Sequence, residues 1–164
     1  MRQTMILALI GVLSFGAYAQ HDAQKIDQTT PKFKDDKIQM AYTHYIHLKD
    51  ALVASNASDA NLAAGDLQKS LVGVSGGKKA ADEAAKLAET KDLDDQRKVF
   101  STLSNEMTLL AKNGKLASGT LYVEYCPMAN NNEGGFWLSN EKQIKNPYFG
   151  EAMLKCGSVK ETIQ

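Results

Sequence analysis

Residues 37–54 read KIQMAYTHYIHLKDALVA, and their apolar side chains recur at steps of three and four residues. That period is typical of a helix that buries one face, so a first helix is predicted from about Lys37 to Ala54. The small polar residues at 55–59 can end this helix and cap the next one. The folded part of the chain is therefore predicted to begin as a helical protein.

Three further helical segments follow the first one. The second ends at the glycine pair 76–77, the third is rich in alanine and spans 78–88, and the fourth runs from an acidic cap at 92–95 to Asn113-Gly114. Paired glycines favour turns, and acidic residues favour the first turn of a helix. Four such segments with short loops predict an antiparallel helical bundle.

The pattern changes to that of a β-structure at Leu121. Apolar and polar residues alternate over 121–125, and the aromatic run 136–138 could form the returning strand of a hairpin. One helical turn is predicted at 151–155. The predicted fold is therefore mainly α, an antiparallel bundle of about four helices with a small C-terminal hairpin and turn module (121–158) that contains both cysteines.

The N-terminal residues indicate the compartment. Arg2 precedes an apolar run, and Ala17-Tyr18-Ala19 is the small-x-small pattern that signal peptidase cleaves. This predicts a signal peptide over 1–19, a flexible polar leader over 20–36 and a single domain over 37–164, exported to the periplasm. Because the run is shorter than the roughly 20 apolar residues that a spanning helix needs, no membrane span is expected in the mature chain.

Charge and motifs argue against several functional classes. The chain contains 19 Lys and Arg residues against 19 Asp and Glu residues, so its balance gives no electrostatic reason to expect nucleic acid or an anionic membrane as partner. There is no Cys-x-x-Cys redox motif, no nucleophile elbow and no phosphate-binding glycine loop. We therefore do not expect an enzyme.

Two stretches resemble a known family. They are YIHLKDALVASNASDANLAAGDLQ (45–68) and YCPMANNNEGGFWLSNEKQIKNPYFGEAMLKCG (125–157). Together they resemble the domain of unknown function 3347 family, over nearly all of the chain from about Ile38. Members of that family occur as small exported proteins and attached to the periplasmic adaptor subunits of heavy-metal efflux pumps. The resemblance implies copper or silver handling, with an efflux adaptor as a possible partner.

The sulfur-bearing residues of the module form the main candidate site. Thiolate and thioether ligands suit soft ions such as copper(I) and silver(I). If the hairpin folds the module back on itself, four sulfur atoms could surround one ion. The residues that provide them are Cys126, Met128, Met153 and Cys156.

A structural disulfide is the competing interpretation of the same residues. In an oxidising compartment Cys126 and Cys156 can pair, and the methionines then fill space in the core. The protein would be a disulfide-stabilised interaction module without a metal of its own. A disulfide could also be the oxidised form of a site that binds metal when reduced, and every one of these interpretations requires the two cysteines to lie close together.

Further candidates lie on the first helix and around the module. Met40, His44 and His47 share one side of that helix, away from its apolar stripe, and to act as ligands they should face the C-terminal module. A solvated polar face is the more common meaning of such a pattern, and His21 in the leader is a weaker candidate. Three residues are predicted to support the site, either by filling the hairpin core or by orienting its turn: Trp137, Pro147 and Tyr148.

Overall fold

The computed structural model describes residues 30–164. Within this range, four helices contact one another, and a small antiparallel sheet packs beside the last of them. The predicted signal peptide, most of the predicted leader and His21 lie outside the described residues. No helix within the described range is long and apolar enough to cross a membrane.

The helices follow the predicted boundaries to within a few residues. They are α1 (Asp36–Val53), α2 (Ala57–Leu71), α3 (Lys78–Glu89) and α4 (Leu93–Gly114). Each helix contacts the next along the chain, and α4 also contacts α1. The prediction of a bundle of about four helices is confirmed.

Side chains that accept hydrogen bonds fix where α1, α2 and α4 begin. The carboxylate of Asp92 accepts from the backbone N–H groups of Asp94 and Asp95, at 2.9 and 3.0 Å. Asp35 and Asn56 cap α1 and α2 in the same way. Such caps satisfy N–H groups that have no partner inside the helix, which is why short polar residues mark these boundaries in the sequence.

The core of the bundle combines small and large side chains. Ala60, Ala64 and Ala84 are fully buried, and small residues at such positions allow neighbouring helices to approach closely. On α1 the buried residues include Tyr45, whose hydroxyl accepts a hydrogen bond from the backbone N–H of Leu138 at 3.0 Å and also bonds to the Ser104 hydroxyl. Tyr45 therefore connects α1, on which it lies, to α4 and to the C-terminal module.

The strands form two antiparallel sheets. The strands are β1 (Lys32–Phe33), β2 (Leu116–Ser118), β3 (Leu121–Cys126), β4 (Gly135–Ser139) and β5 (Ser158–Ile163). One sheet pairs β1 with β2, and the other has the order β4-β3-β5. The predicted hairpin is confirmed as β3 and β4, with Cys126 opposite Gly135 and Glu124 opposite Trp137.

Three strands were not predicted, for physical reasons that differ: β1, its three-residue partner β2, and β5. β1 has only two residues, too few to show an alternation of apolar and polar side chains. Phe33 fixes it in place by packing on Tyr42, with the ring centroids 5.4 Å apart. It belongs to the end of the segment predicted as a leader. β5 lies at the edge of its sheet, and Lys160 and Glu161 interrupt its apolar alternation. Edge strands often have such charged residues because these oppose pairing with other chains.

Candidate functional site

The two cysteines meet at the end of the three-stranded sheet. Cys126 is the last residue of β3 and is fully buried, whereas Cys156 is half-buried and precedes β5. Their Sγ atoms lie 2.7 Å apart. The prediction that these residues lie close together in the fold is confirmed.

The distance between the sulfur atoms has a chemical meaning. A disulfide bond has a length of about 2.05 Å, so a small rotation of either side chain would bring the two atoms to bonding distance. Two sulfur atoms bound to one ion at about 2.3 Å each lie roughly 3.7 to 4.6 Å apart, so these two atoms would have to separate by about 1 to 2 Å. The two thiols are therefore positioned to form a disulfide, and rotation of their side chains would also let both bind one ion.

The protonation of Cys156 affects metal binding. Its thiol is hydrogen-bonded to that of Cys126, and this contact, together with burial, raises the pKa of Cys156 from 9.0 to about 11. Thiolate is the form that binds metal and that attacks disulfides. At neutral pH the thiol of Cys156 is therefore protonated, and binding of an ion to it must release a proton.

The two methionines of the module share a cavity that neither cysteine lines. Met128 is 45% exposed and Met153 is half-buried, and both line one cavity of about 640 Å³. Met153 also lines a shallower depression together with Cys156. Met153 is thus the residue that connects the methionine-lined cavity with the exposed side of the cysteine pair.

The cavity wall contains an unusual turn between β3 and β4. Three successive residues, Asn130, Asn131 and Asn132, have positive φ angles of 51°, 56° and 71°. Asparagine adopts this left-handed conformation at lower cost than most residues. The Asn130 side chain donates to the carbonyl of Gly134 at 3.0 Å, so the turn is held from within.

The opposite wall is a rigid turn that Arg97 fixes to the bundle. The Nε atom of Arg97 donates to the carbonyl of Pro147 at 3.0 Å, and its guanidinium also bonds to Ser55 at 2.9 Å. Gly150 has φ +56°, and a Cβ atom at this position would lie 2.5 Å from the Ser55 hydroxyl. Pro147 therefore lies in a turn that packs against the end of α1.

Trp137 and Tyr148 form the floor of the site. Trp137 is fully buried, and its ring meets that of Tyr148 edge to face at 6.0 Å. The Tyr148 hydroxyl donates to the carbonyl of Phe136 at 2.6 Å. Both residues thus fill the space between β4 and the loop that contains Cys156.

The structure does not bring the predicted ligands of α1 to the cysteines. Met40 is 58% exposed, His47 is exposed and His44 is half-buried. At 100° per residue, Met40 and His47 lie about 140° and 160° around the helix from Tyr45, the residue that contacts β4. The two imidazole rings are 6.2 Å apart and belong to an outer face of the bundle. They form no part of the sulfur site.

A buried carboxyl group was not predicted from the sequence. The Glu124 side chain is 0% exposed, and within residues 30–164 no hydrogen bond of normal geometry reaches either carboxyl oxygen, although the Trp137 indole lies close to them. Burial raises the pKa of Glu124 from 4.5 to about 8; the Trp137 indole and the Lys49 ammonium offset this only in part, and Glu141 adds to it. The alternation of residues in β3 did not predict the burial of Glu124, because a polar residue in an alternating strand usually faces water.

Metal binding would depend on the sulfur atoms. Within residues 30–164, no group of three or more His, Cys, Asp or Glu side chains is placed to hold an ion. The donors that are in contact are the thiols of Cys126 and Cys156, and Met153 lines the depression that contains Cys156. Such a donor set fits a soft ion and not calcium or magnesium, which bind oxygen.

Comparison with known proteins gives one match. A family model described as a protein of unknown function (DUF3347) matches residues 41–119, which confirms the resemblance over α1 to β2. The matched range ends before the cysteines. No curated protein and no solved structure matches the chain.

Proposed function

The chain contains a DUF3347 family domain over residues 41–119, a family of unknown function, and we propose from its sulfur site that the protein binds or delivers copper(I) or silver(I). The observation that supports this most is the contact of the two thiols, with Met153 lining the same depression as Cys156. Soft ions prefer these ligands to oxygen or nitrogen. In this proposal the protein is not an enzyme.

We propose that the ion reaches the cysteines by way of Met153, which lines both the cavity and the depression that contains Cys156. Met128, at the exposed rim, and Met153, next to Cys156, line the cavity wall. An ion that arrives from solvent would meet thioethers first and thiols afterwards. The ion displaces a proton from each thiol that binds it, and the resulting anionic thiolates are stronger ligands for a soft ion than neutral thioethers, so capture would be firmer at the cysteines than at Met128.

The location and partner belong to the same proposal. The N-terminal sequence supports export to the periplasm. The family resemblance supports an adaptor of a heavy-metal efflux pump as the partner that receives or supplies the ion. Both points are open to direct test by fractionation and by co-purification with such an adaptor.

The separation of the sulfur atoms favours a second function. At 2.7 Å the cysteines are closer than two ligands of one ion, and closer to the spacing of a disulfide. A disulfide-stabilised interaction module without a metal would explain this spacing. The two functions agree if the disulfide is the oxidised form and the dithiol is the form that binds the ion.

Substitution of Met153 by leucine tests the metal function. In the reduced protein we expect Met153→Leu to weaken copper(I) binding by at least about tenfold, because a thioether is lost from the set that soft ions prefer. Stability should change by less than about 1.5 kcal/mol, since Leu and Met have similar volumes. Competition against a copper(I) chelator gives the affinity, and urea unfolding gives the stability.

A matched control is available in the bundle. Met107 is buried on α4, away from the cysteines, so Met107→Leu should leave the affinity for copper(I) unchanged. Equal affinities for the Met153→Leu variant and the parent protein would remove Met153 from the site. Equal losses in both variants would show that the effect is indirect.

A further inference from the structure

We propose that Asn146 is the positioning residue of the cysteine pair, because its side-chain amide holds the main chain of Cys156 so that the thiol stays against Cys126. This inference rests on the proposed function only in treating the pair as the functional group. It applies equally to the dithiol that would bind an ion and to the dithiol that forms a disulfide.

Asn146 organises the loop through both its main chain and its side chain. Its Nδ2 atom donates to the carbonyl of Cys156 at 2.9 Å, and its Oδ1 atom accepts from the N–H of Tyr148 at 2.8 Å. Its backbone N–H donates to Leu154, and its carbonyl accepts from Gly150. The residue is fully buried, so no water competes for these bonds.

The two cysteines are held in different ways. Cys126 lies in β3, which pairs with β4 on one side and β5 on the other. Cys156 lies outside the strands, and its main chain is held by the Asn146 amide and by the bond from its own N–H to the carbonyl of Met153 at 3.0 Å. The position of Cys156 therefore depends on the loop, whereas that of Cys126 depends on the sheet.

The next residue restricts the path of the chain at the same point. Gly157 has φ +143°, and a Cβ atom there would lie 2.9 Å from the Trp137 ring. The chain thus passes close over Trp137 directly after Cys156. Asn146 and the close packing of Gly157 on Trp137 together restrict the main chain of Cys156. To bind an ion, Cys156 would therefore have to move its sulfur atom by rotating its side chain.

A thiol that is held against its partner forms a disulfide more readily than a mobile one. Fixing Cys156 next to Cys126 raises the effective concentration of one thiol at the other. This stabilises the disulfide relative to the dithiol and so lowers the reduction potential of the cysteine pair. A residue that merely stabilised the fold would act on the oxidised and reduced proteins alike. The reduction potential therefore distinguishes a positioning role from a general structural role.

The test is a redox equilibrium of the full mature chain with glutathione, without metal. In this exchange the bond of glutathione disulfide breaks as the Cys126–Cys156 bond forms, and the protons and electrons of the two thiols leave in two molecules of glutathione. We expect Asn146→Ala to shift the equilibrium at least about tenfold towards the dithiol, which corresponds to about 30 mV. Counting free thiols by mass spectrometry gives the equilibrium constant.

Asn61 supplies a matched control. Its side-chain amide also donates to main-chain carbonyls, those of Leu87, Ala88 and Thr90, at the end of α3. Asn61→Ala should lower stability but shift the redox equilibrium less than about twofold. An unchanged equilibrium in Asn146→Ala, or an equal shift in both variants, would overturn the proposal.

A second variant guards against misfolding. If Asn146→Ala does not fold, Asn146→Asp keeps an acceptor for the Tyr148 N–H and replaces the donor to Cys156 with a carboxylate oxygen, which repels the Cys156 carbonyl. The same shift is expected, and its absence would also overturn the proposal. Because the exchange contains no metal, its result is independent of whether the reduced pair binds copper(I).

Discussion

Glu124→Gln is expected to stabilise the protein by several kcal/mol at pH 8 and by less than about 1 kcal/mol at pH 5. The reason is the burial of the Glu124 carboxyl, which raises its pKa from 4.5 to about 8. Glutamine cannot ionise, and it has nearly the shape of the protonated acid. Urea unfolding of both proteins from pH 5 to pH 8 would measure the difference.

The sign follows from the protons bound in each state. Between pH 4.5 and about 8, Glu124 remains protonated in the folded protein and is ionised in the unfolded chain. The unfolded state then binds fewer protons, so the contribution of Glu124 to stability is present below its unfolded pKa and is lost as the pH rises towards 8. The slope is at most about 1.4 kcal/mol per pH unit, and the total is on the order of 4 kcal/mol.

Several groups facing Glu124 have to be considered in this prediction. Tyr45 and Lys49 face it from α1, Trp137 from β4 and Glu141 from the segment after β4. The difference between the parent protein and Glu124→Gln isolates the one carboxyl group. Glu133→Gln, at an exposed position of the same module, is the control and should show no such difference. A pH-independent difference for Glu124→Gln would mean that this carboxyl is ionised in the fold at neutral pH.

Cys156→Ser is expected to destabilise the oxidised protein by about 3 to 4 kcal/mol. The cysteines are 30 residues apart in the sequence, and a bond between them removes the freedom of a loop of that length from the unfolded chain. Cys156 is the better position for the substitution, because a serine at the fully buried Cys126 would also bury a hydroxyl group. Urea unfolding with and without a reductant gives the result.

The parent protein serves as its own control in this experiment. With reductant, the parent should lose the same amount of stability and approach the Cys156→Ser variant, which should not respond to reductant at all. An oxidised parent with the same unfolding midpoint in both conditions would contradict a disulfide at this position. The metal proposal, which concerns the reduced form, would not be affected.

The fold was predictable where a period or a cap was present in the sequence. The three- and four-residue steps around Tyr45 and Leu48, and the cap at Asp92, placed the helices nearly where they occur. β5 was not predictable, because at a sheet edge its side chains face water on most positions. Its pairing with β3 depends on backbone hydrogen bonds, which leave no trace in composition.

The candidate site was predictable only in part. The contact of Cys126 with Cys156 followed from the hairpin and turn signals, since these fold the module back on itself. The buried state of Glu124 depends on α1 and the segment after β4, which face this residue, and the direction of His47 depends on which side of α1 meets the sheet. Both features depend on tertiary packing, so the spacing of residues in the sequence cannot predict them.

The most direct test of the central claim is a competition of the fully reduced parent protein against a copper(I) chelator under anaerobic conditions. We expect the reduced protein to take up one copper(I) ion from the chelator and to lose this capacity when Cys126 and Cys156 are oxidised to the disulfide. Release of protons on uptake would agree with the raised pKa of Cys156. A reduced protein that removes no copper(I) from the chelator would contradict the metal function and would leave the disulfide-stabilised module as the account of the site.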